Sequence, residues 1–243
     1  MDGELAFFVL VGLFGQLVDG ALGMAYGLTC TSVLLAQGIS PAAASAAVHS
    51  AEVFTSAASG GSHLLFGNVD KRLFWRLALP GALGGVLGAT ALAQLPGELL
   101  RPWILGYLLI MGALVVARAF GRRLQAPSDR GIPALGLIAG ALDAMGGGGW
   151  GPLASSTLLA RGGQARFVIG SVNAAEFVVT LATTGAFVTS LGLGHGKIVL
   201  GLIIGGVLAA PLSAWLVRFA PHRPMMIAVG LLIIALALIG LLA

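Results

Sequence analysis

The chain has 243 residues, of which 58% are hydrophobic and 9% charged, where a soluble domain carries about 25% charge. That balance excludes a water-soluble globular protein. The formal charge of +4 comes from basic residues in short loops, which reads as membrane topology rather than as a nucleic-acid-binding face. The one cysteine, Cys30, excludes an intrachain disulfide.

The chain opens with MDGELAFFVL, with Asp2 and Glu4 but no basic residue before the apolar run. It reads as a first membrane element rather than a secretory leader. Apolar stretches follow at roughly 5–36, 42–66, 73–95 and 102–120, and again at roughly 132–160, 167–191, 198–219 and 224–243. Stretches of about 20 apolar residues span a hydrocarbon core of ~30 Å. Backbone polar groups must then be satisfied internally, which predicts an all-α polytopic membrane protein. The 38 glycines suit close helix packing in lipid, with faces that can meet inside one chain or against a second copy in a homo-oligomer.

The chain repeats itself. Shifted by 124 residues, Asp19 falls on Asp143, Gly23 on Gly147, Gly27 on Gly151, Glu52 on Glu176 and Gly61 on Gly185, without a gap. Residues 1–125 form the first repeat and 126–243 the second, within one integral membrane domain. Each repeat opens on a stretch interrupted by glycine, VDGALGMAYG (Val18–Gly27) and LDAMGGGGWG (Leu142–Gly151). Residues 5–36 as one helix would run ~48 Å, too long for one crossing. A broken helix or re-entrant hairpin followed by three spanning helices fits better.

Charge supports the hairpin. If each opening stretch goes in and returns, eleven of the 13 Lys and Arg residues share one side, with only Arg101 and Lys197 opposite. The positive-inside rule makes that side cytoplasmic. A multi-pass protein of the cytoplasmic (inner) membrane follows, with both termini outside the cytoplasm. The two repeats then have inverted topology, an architecture of secondary transporters with a site near the bilayer midplane.

Of the nine acidic residues, Asp19, Asp143, Glu52 and Glu176 lie inside apolar stretches as two repeat-related pairs. An intramembrane ionisable group is a candidate functional residue. Ser45, His49, Glu52 and Ser56 share one helical face, as do Asn173, Glu176, Thr180 and Thr184. These stripes read either as the lining of a shared cavity or as interhelical glue. At the breaks, Gly20, Gly23, Gly147 and Gly148 let backbone N–H groups approach an anion. Asp19 and Asp143 flank that site or simply accept from the orphan N–H groups. Tyr26 and Trp150 close the breaks as walls or as packing residues. His49 and Asn173 complete the candidate binding set. A carboxylate beside a bound anion repels it unless protonated, so Glu52 and Glu176 are the proton-coupling candidates, with His49 as an alternative. HSAE (His49–Glu52) offers too few ligands for a metal.

The segments GQLVDGALGMAYG (Gly15–Gly27), GISPAAASAAVHSAEVF (Gly38–Phe54), GNVDKRLFWRLALPGALGGVLGA (Gly67–Ala89) and GGQARFVIGSVNAAEFV (Gly162–Val178) occur in an order that resembles the sulfite exporter TauE/SafE family of membrane permeases. The resemblance covers essentially the whole chain. It implies transport of a sulfur-containing anion such as sulfite, sulfoacetate or another organosulfonate; protons are the coupling ion expected from Glu52 and Glu176, the lipid bilayer is the surroundings, and no cofactor is expected. The stretch DAMGGGGWGP departs from the shorter glycine cluster and following polar residue of many members. A sodium/proton or other cation transporter is the competing transport reading. An intramembrane enzyme has only the serine and histidine of ASGGSH (Ala58–His63), with no oriented base.

Overall fold

The helix ends follow the chain's punctuation. α1 (Gly3–Leu22) and α2 (Tyr26–Ala36) are separated at Ala25, and Gly38, at φ +81°, closes α2. Pro41 opens α3 (Pro41–Leu65), where its missing N–H costs no helical bond. Asp70 caps α4 (Lys71–Gln94) by accepting from the Arg72 and Leu73 N–H groups at 2.8 and 3.2 Å. α5 (Gly97–Arg118) completes the first half. In the second, α6 (Ile132–Gly146) is followed by a π-helical turn (Gly151–Ser155) that continues into α7 (Ser156–Ala160). α8 (Ala165–Leu191), α9 (Gly196–Leu216) and α10 (His222–Leu242) follow. This computed structural model describes residues 3–22, 24–120, 131–161, 163–192, 194, 196–216 and 222–242.

All regular structure among the described residues is helical. Lys71–Gln94, Gly97–Arg118 and Arg166–Leu191 are long and apolar enough to cross a membrane. Their outer faces fit that solvent: Leu79, Leu83 and Leu87 recur every fourth residue of α4 and are 60%, 56% and 57% exposed, an apolar ridge that lipid would cover.

Contacts give the helix directions. His49 and Phe187 face each other with ring centroids 6.0 Å apart, Ser56 Oγ lies 3.4 Å from Thr180 Oγ1, and the Arg166 guanidinium donates to the Phe66 carbonyl. Rising numbers on α3 meet falling numbers on α8, so these repeat-related helices are antiparallel. α5 and α10 are antiparallel too, with Gly112 against Gly230 and Leu105 against Gly240. By contrast α1 runs parallel to α9, from the Glu4–Lys197 ion pair at 3.4 Å to Gly12 against Leu202. α6 likewise runs parallel to α4, with Gly136 on Leu77 and Gly140 on Gly81. The first helix of each half is thus packed along the fourth element of the other half's bundle.

α1 and α2 form an antiparallel hairpin. Cys30 Sγ reaches the Val11 carbonyl, and Gly15 abuts Tyr26. α6 and the segment after it turn back in the same way, between Asp143 and Trp150. The helix boundaries sharpen the sequence expectation: α3, α4 and α5 begin within five residues of the expected stretches and end at their edges. Breaks replace the long opening helices, as expected from their length.

Candidate functional site

The two breaks are built alike around a carboxylate. In the first, Asp19 Oδ1 accepts from the Tyr26 N–H at 3.2 Å. In the second, Asp143 Oδ1 accepts from the Trp150 N–H at 2.8 Å. Each aspartate therefore satisfies an orphan donor at the start of its returning limb. The sequence left two roles open for these residues, and this is the local one. It also means that these N–H groups hold the protein's own carboxylates, where the sequence reading had an anion. The physical reason is reach: an aspartate seven residues back lies on the end of the preceding helix, directly opposite the donor.

The turns differ in how they bend. Gly147, Gly148 and Gly149 take φ of +66°, +156° and +144°, which only glycine adopts freely. In the first break the residue equivalent to Gly149 is Ala25, at φ +106°. Gly20 lies in the last turn of α1, and Gly23 lies outside the described residues.

Asp19, Glu52, Asp143 and Glu176 all line one cavity of about 10 Å³, together with Tyr26 and Trp150. Gly27, Gly149, Gly151 and Pro152 also line it. The fold thus gathers both repeat-related acid pairs, from four separate elements, at the point where the hairpin tips meet. Asp143 and Glu52 are buried, and Asp19 and Glu176 half-buried. Among the described residues Glu52 Oε2 has no hydrogen-bond partner, while Glu52 Oε1 lies beside Gly27. Gly147 and Gly148 flank the cavity rather than line it, and the space suits one water molecule.

His49 joins this group through Asp143, its Nε2 lying 3.1 Å from Asp143 Oδ2 in a fully buried pair. His49 Nδ1 lies 2.9 Å from the Ser45 carbonyl, which only accepts. With a proton on Nδ1, the contact between Nε2 and Oδ2 needs a further proton, carried by one partner or the other. The repeat mate behaves differently: Asn173 Nδ2 donates to the Ile169 carbonyl of its own helix at 2.9 Å.

Of the side chains that hold the second tip, sequence reasoning placed Ser45 on a polar stripe and missed Tyr107 and Thr31. The Tyr107 hydroxyl donates to the Gly148 carbonyl at 2.8 Å. Thr31 donates to the Gly147 carbonyl and Ser45 to that of Ala144. Tyr107 is one of two tyrosines in the chain, a signal that was present; the carbonyl partners were not legible. Arg118 was also missed as a neighbour of the site: its Nη1 lies 3.0 Å from the sulfur of Met24, which lines the cavity. Trp150 and Tyr26 are anchored by donation to the Val172 and Leu202 carbonyls at 3.1 and 3.2 Å.

Comparison with known proteins points to a membrane transporter. The family described as sulfite exporter TauE/SafE matches residues 8–239. The chain is similar to a "probable membrane transporter protein", YtnM, of Bacillus subtilis (strain 168), with 47% identity over 230 residues covering 90% of this chain and 77% of that protein. No solved structure matches. These names point to a membrane transporter rather than an enzyme. With a family match across nearly its whole length, this chain belongs to the sulfite exporter TauE/SafE family.

Proposed function

We propose that the protein is a secondary transporter of a small sulfur-containing anion, sulfite or an organosulfonate, coupled to protons. It works by alternating access around the cavity where the hairpin tips meet. The observation that carries this reading is the convergence of Asp19, Glu52, Asp143 and Glu176 on one cavity. Four intramembrane acids are too costly to gather without a task for them.

The geometry supports a coupling mechanism. An oxyanion reaching the tips competes with Asp19 and Asp143 for the N–H groups of Tyr26 and Trp150. A carboxyl that takes up a proton becomes a weaker acceptor and releases its donor to the cargo. Protonation of Asp143, with its proton shared with His49, and of Glu52 and Glu176 thus accompanies anion binding. The cavity of about 10 Å³ is too small for sulfite, so on this reading the tips part to admit the cargo.

The antiparallel pairing of α3 with α8 and of α5 with α10 supports inverted topology for repeats 1–125 and 126–243. With the basic loops cytoplasmic, both termini lie outside. One feature favours a cation reading: four carboxyl groups surround a water-sized space.

The test is flux into proteoliposomes. Imposed proton gradients should drive radiolabelled sulfite or an organosulfonate, and the Glu52→Gln, Glu176→Gln and Asp143→Asn variants should lose that dependence. Gradient-driven sodium movement with sulfur anions inert would replace this reading with the cation one.

A further inference from the structure

A second cavity, of about 270 Å³, lies apart from the tips, between the starts of α4 and α8 and the end of α7. Among the described residues, Arg72, Arg76 and Arg161 line it together with Asp70. We propose that this cavity is a binding site for a small oxyanion of the sulfite, sulfonate or phosphate class, held by Arg72, Arg76 and Arg161. Guanidinium groups match such groups bidentately, and the volume admits one with room for water.

The positive-inside rule accounts for basic residues on this side. It does not require three of them to line one cavity. In the packing register of the repeat, where Gly12 meets Leu202 as Gly136 meets Leu77, Arg76 and Arg161 fall on Gly201 and Gln37 and Arg72 falls on Lys197. The second copy of this place thus carries one basic residue where the first carries three, so the three-arginine lining is particular to this side. The cavity is separated from the central carboxylates by an apolar wall of Trp150, Leu158, Val168, Val172 and Ala175. The limb from Trp150 to Arg161 spans this wall, roughly 15 Å at helical rise. The cavity is therefore placed to collect oxyanions ahead of the tips, and this last step rests on the transport reading above.

The site can be tested independently of flux. Gln164 lines the cavity and is exposed, while Cys30 is buried, so Gln164→Cys gives one reactive thiol in the full chain. A sulfonate-bearing methanethiosulfonate should label it about tenfold faster than the trimethylammonium analogue. Inorganic phosphate or sulfate should protect it, and sodium chloride of equal ionic strength should not. Adding Arg76→Gln with Arg161→Gln should bring the two rates together. Should that variant not fold, the rate ratio and the protection in the Gln164→Cys protein still decide. Equal rates, or equal protection by chloride, overturn the proposal.

Two arms identify the source of the oxyanion. Protection by phosphate in delipidated protein assigns the site to a free anion. Protection only in nanodiscs of anionic lipid, and not in zwitterionic ones, assigns it to a lipid phosphate, with the oxyanion chemistry unchanged. Sulfite flux with no labelling preference removes this site alone. Labelling preference without any sulfur-anion flux removes the transport reading and leaves the site.

Discussion

Ala25 bends the first break where Gly149 bends the second, and it does so at φ +106°, in a region that costs an L-residue about 1–2 kcal/mol. Ala25→Gly should raise the melting temperature of the purified protein, by about 1 kcal/mol in stability; an unchanged or lower value would mean that the alanine methyl packs well enough to offset its backbone. His49→Gln keeps a hydrogen bond to Asp143 but cannot hold the shared proton, so pH-indicator measurements should find proton movement per anion reduced, with anion binding retained. His49→Ala should be costlier, by about 1.5–3 kcal/mol, because it leaves Asp143 buried without that partner. The four acids were legible in the sequence because they are rare: nine Asp and Glu in the chain make any pair at a constant offset conspicuous. Their partners were not legible. That Asp143 meets His49, 94 positions away, depends on the crossing of α3 beside the second tip, and no spacing rule encodes it.

Small residues set the element-scale packing. A Cβ on Gly140 would run into the Gly81 backbone, and one on Gly84 into that of Leu137, so α4 and α6 touch main chain to main chain. Gly140→Leu should prevent that seam from closing and abolish a monodisperse peak in size-exclusion chromatography. Gly106→Ala, which would meet nothing within 4 Å, should elute as wild type. Helix positions were readable from apolar runs and from proline and glycine at their ends. Helix partners were not, since nothing in the sequence of α1 says that it lies along α9. The tips also differ as elements. Tyr107, Thr31 and Ser45 tie the carbonyls of the second tip to three other helices, while the first is held by Asp19 and Tyr26. Tyr107→Phe should therefore loosen the second tip, seen as faster amide hydrogen exchange at 147–151 with little change elsewhere.

At the scale of the whole molecule, the contact between Ser56 and Thr180 has a consequence of its own. These residues are 124 apart and touch at 3.4 Å, so one position of the repeat meets itself. Each hydroxyl also donates to the carbonyl of its own acid, Ser56 to Glu52 and Thr180 to Glu176. When two related halves swap conformations, a point common to both maps onto itself and has nowhere to go. On the proposed alternating-access mechanism the hydroxyl pair would be a fulcrum, a still point about which the halves rock while contacts farther out part and re-form. A disulfide between Ser56→Cys and Thr180→Cys should leave flux intact. One between Asn68→Cys and Arg166→Cys, whose native side chains bond at 2.6 Å far from that point, should stop it until reduced. The same reasoning places Glu52 and Glu176 one helical turn from that point, where the lever arm would be shortest and where the proposed coupling would let a proton be held on either stroke.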